Sequence, residues 1–183
     1  MLGSKQQVFY DLFACAEYLL AEGIATRETL GVRGRSNGGM LAAAALVQRP
    51  YLWGAVVPQV PVTDMYRYQH FTAGRYWTVE YGDAAEDPEA FEWLSKYSPL
   101  HNVGDASTYP PTLIMTAESD DRVVPMHSLK FAATLQHAAG GSSENPLLVR
   151  VETRAGHGLG KPVSKLIDET ADTFGFLLHH LGG

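Results

Sequence analysis

Serine, aspartate and histidine occur in this chain at positions that suit acyl transfer. Gly34-Arg35-Ser36-Asn37-Gly38 fits the pattern G-x-S-x-G. In that pattern small residues flank a serine, so the backbone can turn sharply and lift the hydroxyl toward a substrate. A helix starting at Asn37 would aim its first N–H groups at charge developing beside the serine. Taken alone, the pattern fits a Gly/Ser-rich loop between a strand and a helix equally well. Glu118-Ser119-Asp120-Asp121-Arg122 and Arg154-Ala155-Gly156-His157-Gly158-Leu159-Gly160 add a carboxylate and an imidazole further along. In such a set Ser36 Oγ attacks a carbonyl, His157 takes and returns the proton, and Asp120 orients the imidazole. Separately each piece has an ordinary reading: Asp120 and Asp121 as caps of the next helix, His157 as a loop histidine.

The remaining candidates carry less chemistry. His70, His101 and His127 fit no zinc spacing and are expected to be structural or surface residues, as are Gln69-His70 and His179-His180. Asp64 and Asp105 read as helix-cap or loop acids. Cys15 is the single cysteine, which excludes an internal disulfide and a cysteine-based zinc site. It falls within an apolar helical pattern and is expected to pack inertly in the core.

Periodicity indicates what positions these groups. Val8, Phe9, Leu12, Phe13, Ala16, Leu19 and Leu20 recur at helical spacing, with Gly23 as a stop. Thr29–Val32 reads as a short buried strand, Met40–Gln48 as a helix closed by Pro50, and Gly54–Val62 as a second strand. Thr63–Val103 is rich in aromatics and reads as an excursion of short helices and loops, with Asp87-Pro88-Glu89 starting a helix. Pro111–Ala117 is a third strand, Met126–Ala139 a helix, Gly140-Gly141-Ser142-Ser143 a flexible connection and Leu147–Val151 a fourth strand. Pro162–Leu181 is the last helix, with Val163, Leu166, Ile167, Ala171, Phe174, Leu177 and Leu178 as its apolar face. Apolar strands alternating with helices predict an α/β fold, with a mainly parallel sheet of about four strands and helices on both faces. Such a topology brings strand ends, and the loops after them, to one edge. The order serine, aspartate, histidine is that of the α/β-hydrolases.

Composition bounds the rest. The chain has 183 residues, 45% of them hydrophobic and 19% charged, which suits one packed domain over residues 1–183. A net charge of -6 without a basic stripe argues against a nucleic-acid partner. No apolar run approaches the roughly 20 residues of a membrane helix, so no membrane partner is expected. Polar Gln6-Gln7 follows Lys5 where a secretory signal would continue apolar, so a cytoplasmic location is expected, or a periplasmic one if a signal lies upstream. No dinucleotide or phosphate-loop motif is present, and no cofactor is expected.

Several longer stretches carry a family resemblance. They are Arg35-Ser36-Asn37-Gly38-Gly39-Met40, Trp77-Thr78-Val79-Glu80-Tyr81-Gly82, Lys96-Tyr97-Ser98-Pro99-Leu100-His101-Asn102-Val103, Asp120 to Lys130, and Ala155-Gly156-His157-Gly158. Through them the chain, from about Gln6 to its end, resembles the catalytic domain of the prolyl oligopeptidases, a family of serine peptidases. The resemblance implies a truncated α/β-hydrolase with Ser36, Asp120 and His157 as triad and the Asn37 N–H as oxyanion donor. It implies Trp77 and Tyr81 around a substrate proline, Val62 and Val123 as apolar wall, and Arg122 on a neighbouring substrate carbonyl. The substrate class implied is a short proline-containing peptide, cut on the carboxyl side of proline through an acyl-enzyme, with no cofactor.

The family's β-propeller and the first half of its sheet have no counterpart in this sequence. In the family a tyrosine from that half gives a second oxyanion donor, and no residue here matches it. The strand before Ser36 then becomes an edge, which invites self-association into a homo-oligomer. Two alternatives follow: an open-site esterase or acyl hydrolase, and a non-catalytic or weakly active fragment that self-associates.

Overall fold

The structure is a computed structural model that describes residues 2–139, 145–158 and 161–182. The expected connection at 140–143 lies outside these residues.

Four parallel strands form one sheet in the order β1-β2-β3-β4. They are β1 (Gly31–Arg35), β2 (Ala55–Gln59), β3 (Thr112–Ala117) and β4 (Leu147–Glu152). Helices α1 (Gln6–Ala21), α2 (Asn37–Gln48), α3 (Thr78–Tyr81), α4 (Pro88–Tyr97), α5 (Met126–Ala139) and α6 (Val163–His180) complete the fold. Short 3₁₀ turns link several of them. This is an α/β-hydrolase-like arrangement, and the described residues contain no propeller blade.

Local signals explain several elements. The Asp87 side chain accepts a hydrogen bond from the Glu89 N–H, and Pro88 takes the first helical position of α4. β2 and β3 are buried along their whole length, as apolar parallel strands require. Alternate residues face opposite layers. Val56 and Ile114 join the main core with Phe9, Met40, Leu46, Trp53, Leu94 and Phe131, whereas Val57, Leu113 and Met115 meet Phe176 and Leu177 of α6.

Three expectations are corrected. The first strand runs two or more residues later than Thr29–Val32, because Thr26 and Thr29 close a capping box and Gly31–Arg35 registers against Ala55–Gln59. The β1 edge therefore carries Arg33 and Arg35 and is not wholly apolar. Cys15 is exposed: α1 buries Phe9, Phe13 and Ala16, and residue 15 points off that face. On α6 the expected apolar face is largely solvent-facing, with Val163 at 72% and Ile167 at 61% exposure. The helix buries Glu169 and Thr173 instead, because polar groups meet them from the sheet: Gln59 Nε2 donates to Thr173 Oγ at 3.3 Å and Arg35 pairs with Glu169 at 2.8 Å. Asp64 lies in the loop after β2, as expected. It is buried at the centre of an ion cluster, 2.8 Å from Arg67 and 3.0 Å from Lys130.

Candidate active site

Ser36 sits between β1 and α2 with φ 58° and ψ -117°, a conformation that L residues rarely adopt. Neighbouring bonds hold it there: Ser36 N donates to Gln59 O at 2.9 Å, and Met40 N donates to Ser36 O at 3.0 Å. The turn closes so tightly that a Cβ at Gly34 would lie 2.0 Å from Gly38 O. At Gly38 itself a Cβ would meet nothing within 4 Å, so the steric demand falls on the glycine before the serine. Asn37 is the first helical residue of α2, one of the positions whose N–H a helix leaves without an internal acceptor.

The other two groups come from the loops after β3 and β4. His157 Nε2 lies 3.2 Å from Ser36 Oγ, and His157 Nδ1 lies 2.7 Å from Asp120 Oδ2. Asp120 is buried, and its Oδ1 accepts the Arg122 N–H at 3.0 Å and the Val123 N–H at 2.8 Å. One oxygen therefore fixes the local turn while the other faces the imidazole. Backbone bonds tie the two loops together: Ser119 N donates to Ala155 O at 3.0 Å and Glu118 N to Glu152 O at 2.9 Å. A hydroxyl, an imidazole and a buried carboxylate in this order can pass a proton from oxygen to nitrogen while the carboxylate stabilises the resulting charge.

The histidine loop has a further polar anchor. The Arg35 guanidinium donates to His157 O and pairs with Glu169 Oε1 at 2.8 Å, and Lys161 pairs with Glu169 Oε2. Burial would raise the Glu169 carboxyl, but Lys161 and Arg35 hold it below the usual range. Gly158 has φ +132°, and a Cβ there would lie 2.7 Å from Arg35 Nη2. A glycine therefore leaves room for the guanidinium.

Beside Ser36 lies a cavity of about 220 Å³ lined by Ser36, Asn37, Val62, Trp77, Glu80, Tyr81 and Arg122. Trp77 stacks on Tyr68 with rings 6.4 Å apart, and Tyr81 meets Tyr68 edge-on at 5.4 Å. Burial first, and then the neighbouring Glu80 carboxylate, push the Tyr81 hydroxyl pKa up. Val123 is placed differently from expectation: it packs in the main core and is not among the cavity's lining residues. Its N–H is held by Asp120 Oδ1 at 2.8 Å. A larger cleft of about 910 Å³ is lined in part by His157, Arg33, Arg35, Asp121 and Arg122.

The other histidines do not join this site. Buried His127 Nδ1 accepts from Thr63 N and Asp64 N, and burial pushes its pKa down to about 4. His101 stacks on Tyr66 at 3.8 Å. Among the described residues no group of His, Cys, Asp or Glu is arranged to hold a metal ion, and no helix is long and apolar enough to cross a membrane. Sequence reasoning missed Lys5, Glu80, Arg35 and Glu169 as parts of the site's frame. Apart from Lys161, eight residues from Glu169, their partners lie 32 to 134 residues away, where no local pattern signals a contact.

The profile of the prolyl oligopeptidase family matches residues 2–183. A prolyl endopeptidase of Elizabethkingia meningoseptica is 46% identical over 178 residues, covering 97% of this chain and 25% of the relative. A prolyl endopeptidase of Dictyostelium discoideum is 45% identical over 174 residues, covering 94% of this chain and 23% of the relative. A structure from a study of two prolyl endopeptidases superposes with a TM-score of 0.93 at 45% identity, covering 99% of this chain and 26% of that one. Prolyl oligopeptidase B of Galerina marginata, bound to a 35-residue substrate, gives 0.92 at 38% identity, covering 98% and 25%. The chain thus spans about a quarter of the length of the relatives it matches. With its fold, its ordered site residues and the family profile in agreement along nearly all its length, the chain belongs to the prolyl oligopeptidase family.

Proposed function

We propose that residues 1–183 act as a partial α/β-hydrolase catalytic domain that cleaves short peptides on the carboxyl side of proline. The observation that carries this reading is the Ser36–His157–Asp120 relay opening onto the Trp77/Tyr81 cavity. Ser36 Oγ attacks the carbonyl carbon of the proline residue as its proton moves to His157 Nε2. Asp120 keeps the imidazole in place through Nδ1 and stabilises its cationic form. The Asn37 N–H donates to the oxyanion. The tetrahedral species collapses, His157 protonates the departing amine, and the acyl group stays on Ser36 until water, deprotonated by His157, displaces it. A proline ring is apolar and lacks an N–H, so the Trp77 and Tyr81 faces with Val62 suit it, and the Arg122 fork can donate to a neighbouring substrate carbonyl. The reaction calls for no cofactor, and the location we infer is cytoplasmic.

A second reading, as an acyl hydrolase of simple esters, is favoured by the open cleft beside His157. One missing oxyanion donor costs about 10²–10³ in turnover, and esters tolerate that loss better than amides. Turnover of a proline p-nitroanilide peptide and of p-nitrophenyl acetate, each compared with Ser36→Ala, separates the readings. Proline-dependent amide cleavage lost in Ser36→Ala supports the peptidase. Ester turnover alone supports the acyl hydrolase, and neither activity supports a non-catalytic fragment. We also infer that copies associate through β1, which among the described residues pairs with β2 alone. Light scattering that shows only monomer at moderate concentration contradicts that inference.

A further inference from the structure

Three side chains that the reaction scheme leaves unused close a ring beneath the small cavity. Lys5 lies just before α1, and its side chain is 3% exposed. Its ammonium donates to Glu80 Oε1 at 2.7 Å and to Asn37 Oδ1 at 3.3 Å. Asn37 Nδ2 donates to the same Glu80 oxygen at 3.2 Å. The ammonium also lies 5.2 Å from the Tyr81 ring centroid, within cation–π range. A buried ammonium needs partners that replace its water, and this ring supplies them.

Each contact fixes a different part of the site. Asn37 carries the N–H assigned to the oxyanion. Glu80 and Tyr81 belong to α3, which forms a wall of the cavity. The turn at Ser36 and α3 come from separate chain segments, 43 residues apart at Asn37 and Glu80, and Lys5 is a third. Without the cation, the Asn37 side chain keeps one contact to a carboxylate that is partly exposed and free to turn outward.

We propose that Lys5 is a positioning residue that, through Asn37 and Glu80, sets the oxyanion N–H in register with the cavity that receives the residue before the cleaved bond. The proposal rests on the peptidase reading above. Displacements of about an ångström at such a donor cost up to about a hundredfold in rate. Lys5→Met is therefore expected to lower the turnover number by between about tenfold and a hundredfold, with a smaller change in KM.

The experiment compares fluorophosphonate labelling rates of the unmodified chain, Lys5→Met, Asn37→Ala, and Arg150→Gln. The last breaks an ion pair of β4 with α6 away from the cavity. Each variant's thermal melt is recorded alongside. Labelling slowed about tenfold or more in Lys5→Met and Asn37→Ala, but within about twofold of unmodified in Arg150→Gln, supports the proposal. Should Lys5→Met fail to fold, Asn37→Ala alone decides, since it removes the tether and keeps the N–H. Cooperatively melting variants that label within about twofold of the unmodified chain overturn it. Amide NMR gives a readout that does not depend on reaction: the Asn37 backbone resonance moves in Lys5→Met if the tether sets its position, and an unmoved resonance also overturns the proposal. An unmodified chain that does not label at all instead contradicts the peptidase reading, and the NMR arm still judges Lys5.

Discussion

On one face of the sheet Val56 and Ile114 lie under α1, α2, α4 and α5, in a continuous core that includes Trp53, Tyr97 and Phe131. On the other face Val57, Leu113 and Met115 form a small cluster against Phe176 and Leu177, and α6 turns Val163, Leu166, Ile167, Phe174 and Leu178 outward. The first face is held by apolar burial. The second is held largely by polar contacts, Glu169 to Arg35 and Lys161, and Thr173 to Gln59. The candidate site straddles the two. Ser36, Asn37 and the Trp77/Tyr81 cavity are anchored on the packed side through α2 and the excursion after β2. His157 belongs to a loop whose anchor is the Arg35–Glu169–Lys161 bridge. Packing and backbone hydrogen bonds thus fix the nucleophile, whereas side-chain hydrogen bonds and charge fix the base.

The sharpest way to break this contrast is to truncate each face. Phe131 is fully buried, and Phe131→Ala should cost about 3–5 kcal/mol in chemical denaturation. A loss under about 1 kcal/mol would mean that the packed face is not the main source of stability.

Acid should come next. Burial pushes the His127 pKa down to about 4, against about 6.5 in an unfolded chain. The unfolded state then binds more protons between those values, so the stabilisation is fully present above pH ~6.5 and falls as pH drops toward 4. The loss should reach about 3 kcal/mol, read as melting temperature against pH. Asp64, 3.0 Å from Lys130 and held below the usual carboxylate range, adds its own loss at still lower pH. In His127→Asn, whose amide oxygen can accept the Thr63 and Asp64 N–H groups, the first part of that acid limb should flatten. An unchanged limb would assign the acid sensitivity elsewhere.

Thr173→Val removes the hydroxyl that Gln59 uses and should cost about 1–2 kcal/mol. A neutral result would show that the α6 face does not depend on its polar contacts. The smallest effect is expected at Ile167, which is 61% exposed: Ile167→Ser should change stability by no more than about 0.5 kcal/mol. A large loss that grows with protein concentration would mean that another surface covers this face in solution.

The same contrast explains what the sequence disclosed. Elements with local signals were legible: α5 begins and ends at Met126 and Ala139 as expected, and Asp87-Pro88 caps α4. Ser36, Asp120 and His157 stood out because each follows a strand, and the structure brings them within hydrogen-bond reach. Boundaries that depend on partners were not legible. The β1 limits come from pairing with β2, and α2 begins at Asn37 despite Gly38-Gly39, poor helix formers that tertiary contacts override. The apolar periodicity of α6 was real, but the sheet beneath offers Gln59 and Arg35, so the polar side docks. The Lys5 ring and the Arg35 bridge join residues far apart in sequence, where no spacing rule applies.

Activation of Ser36 as a nucleophile by His157 can be read from intact mass after fluorophosphonate treatment. One adduct per chain is expected, mapped to Ser36, absent in Ser36→Ala and formed far more slowly in His157→Ala. Labelling that persists in Ser36→Ala, or that proceeds at an unchanged rate in His157→Ala, would contradict it.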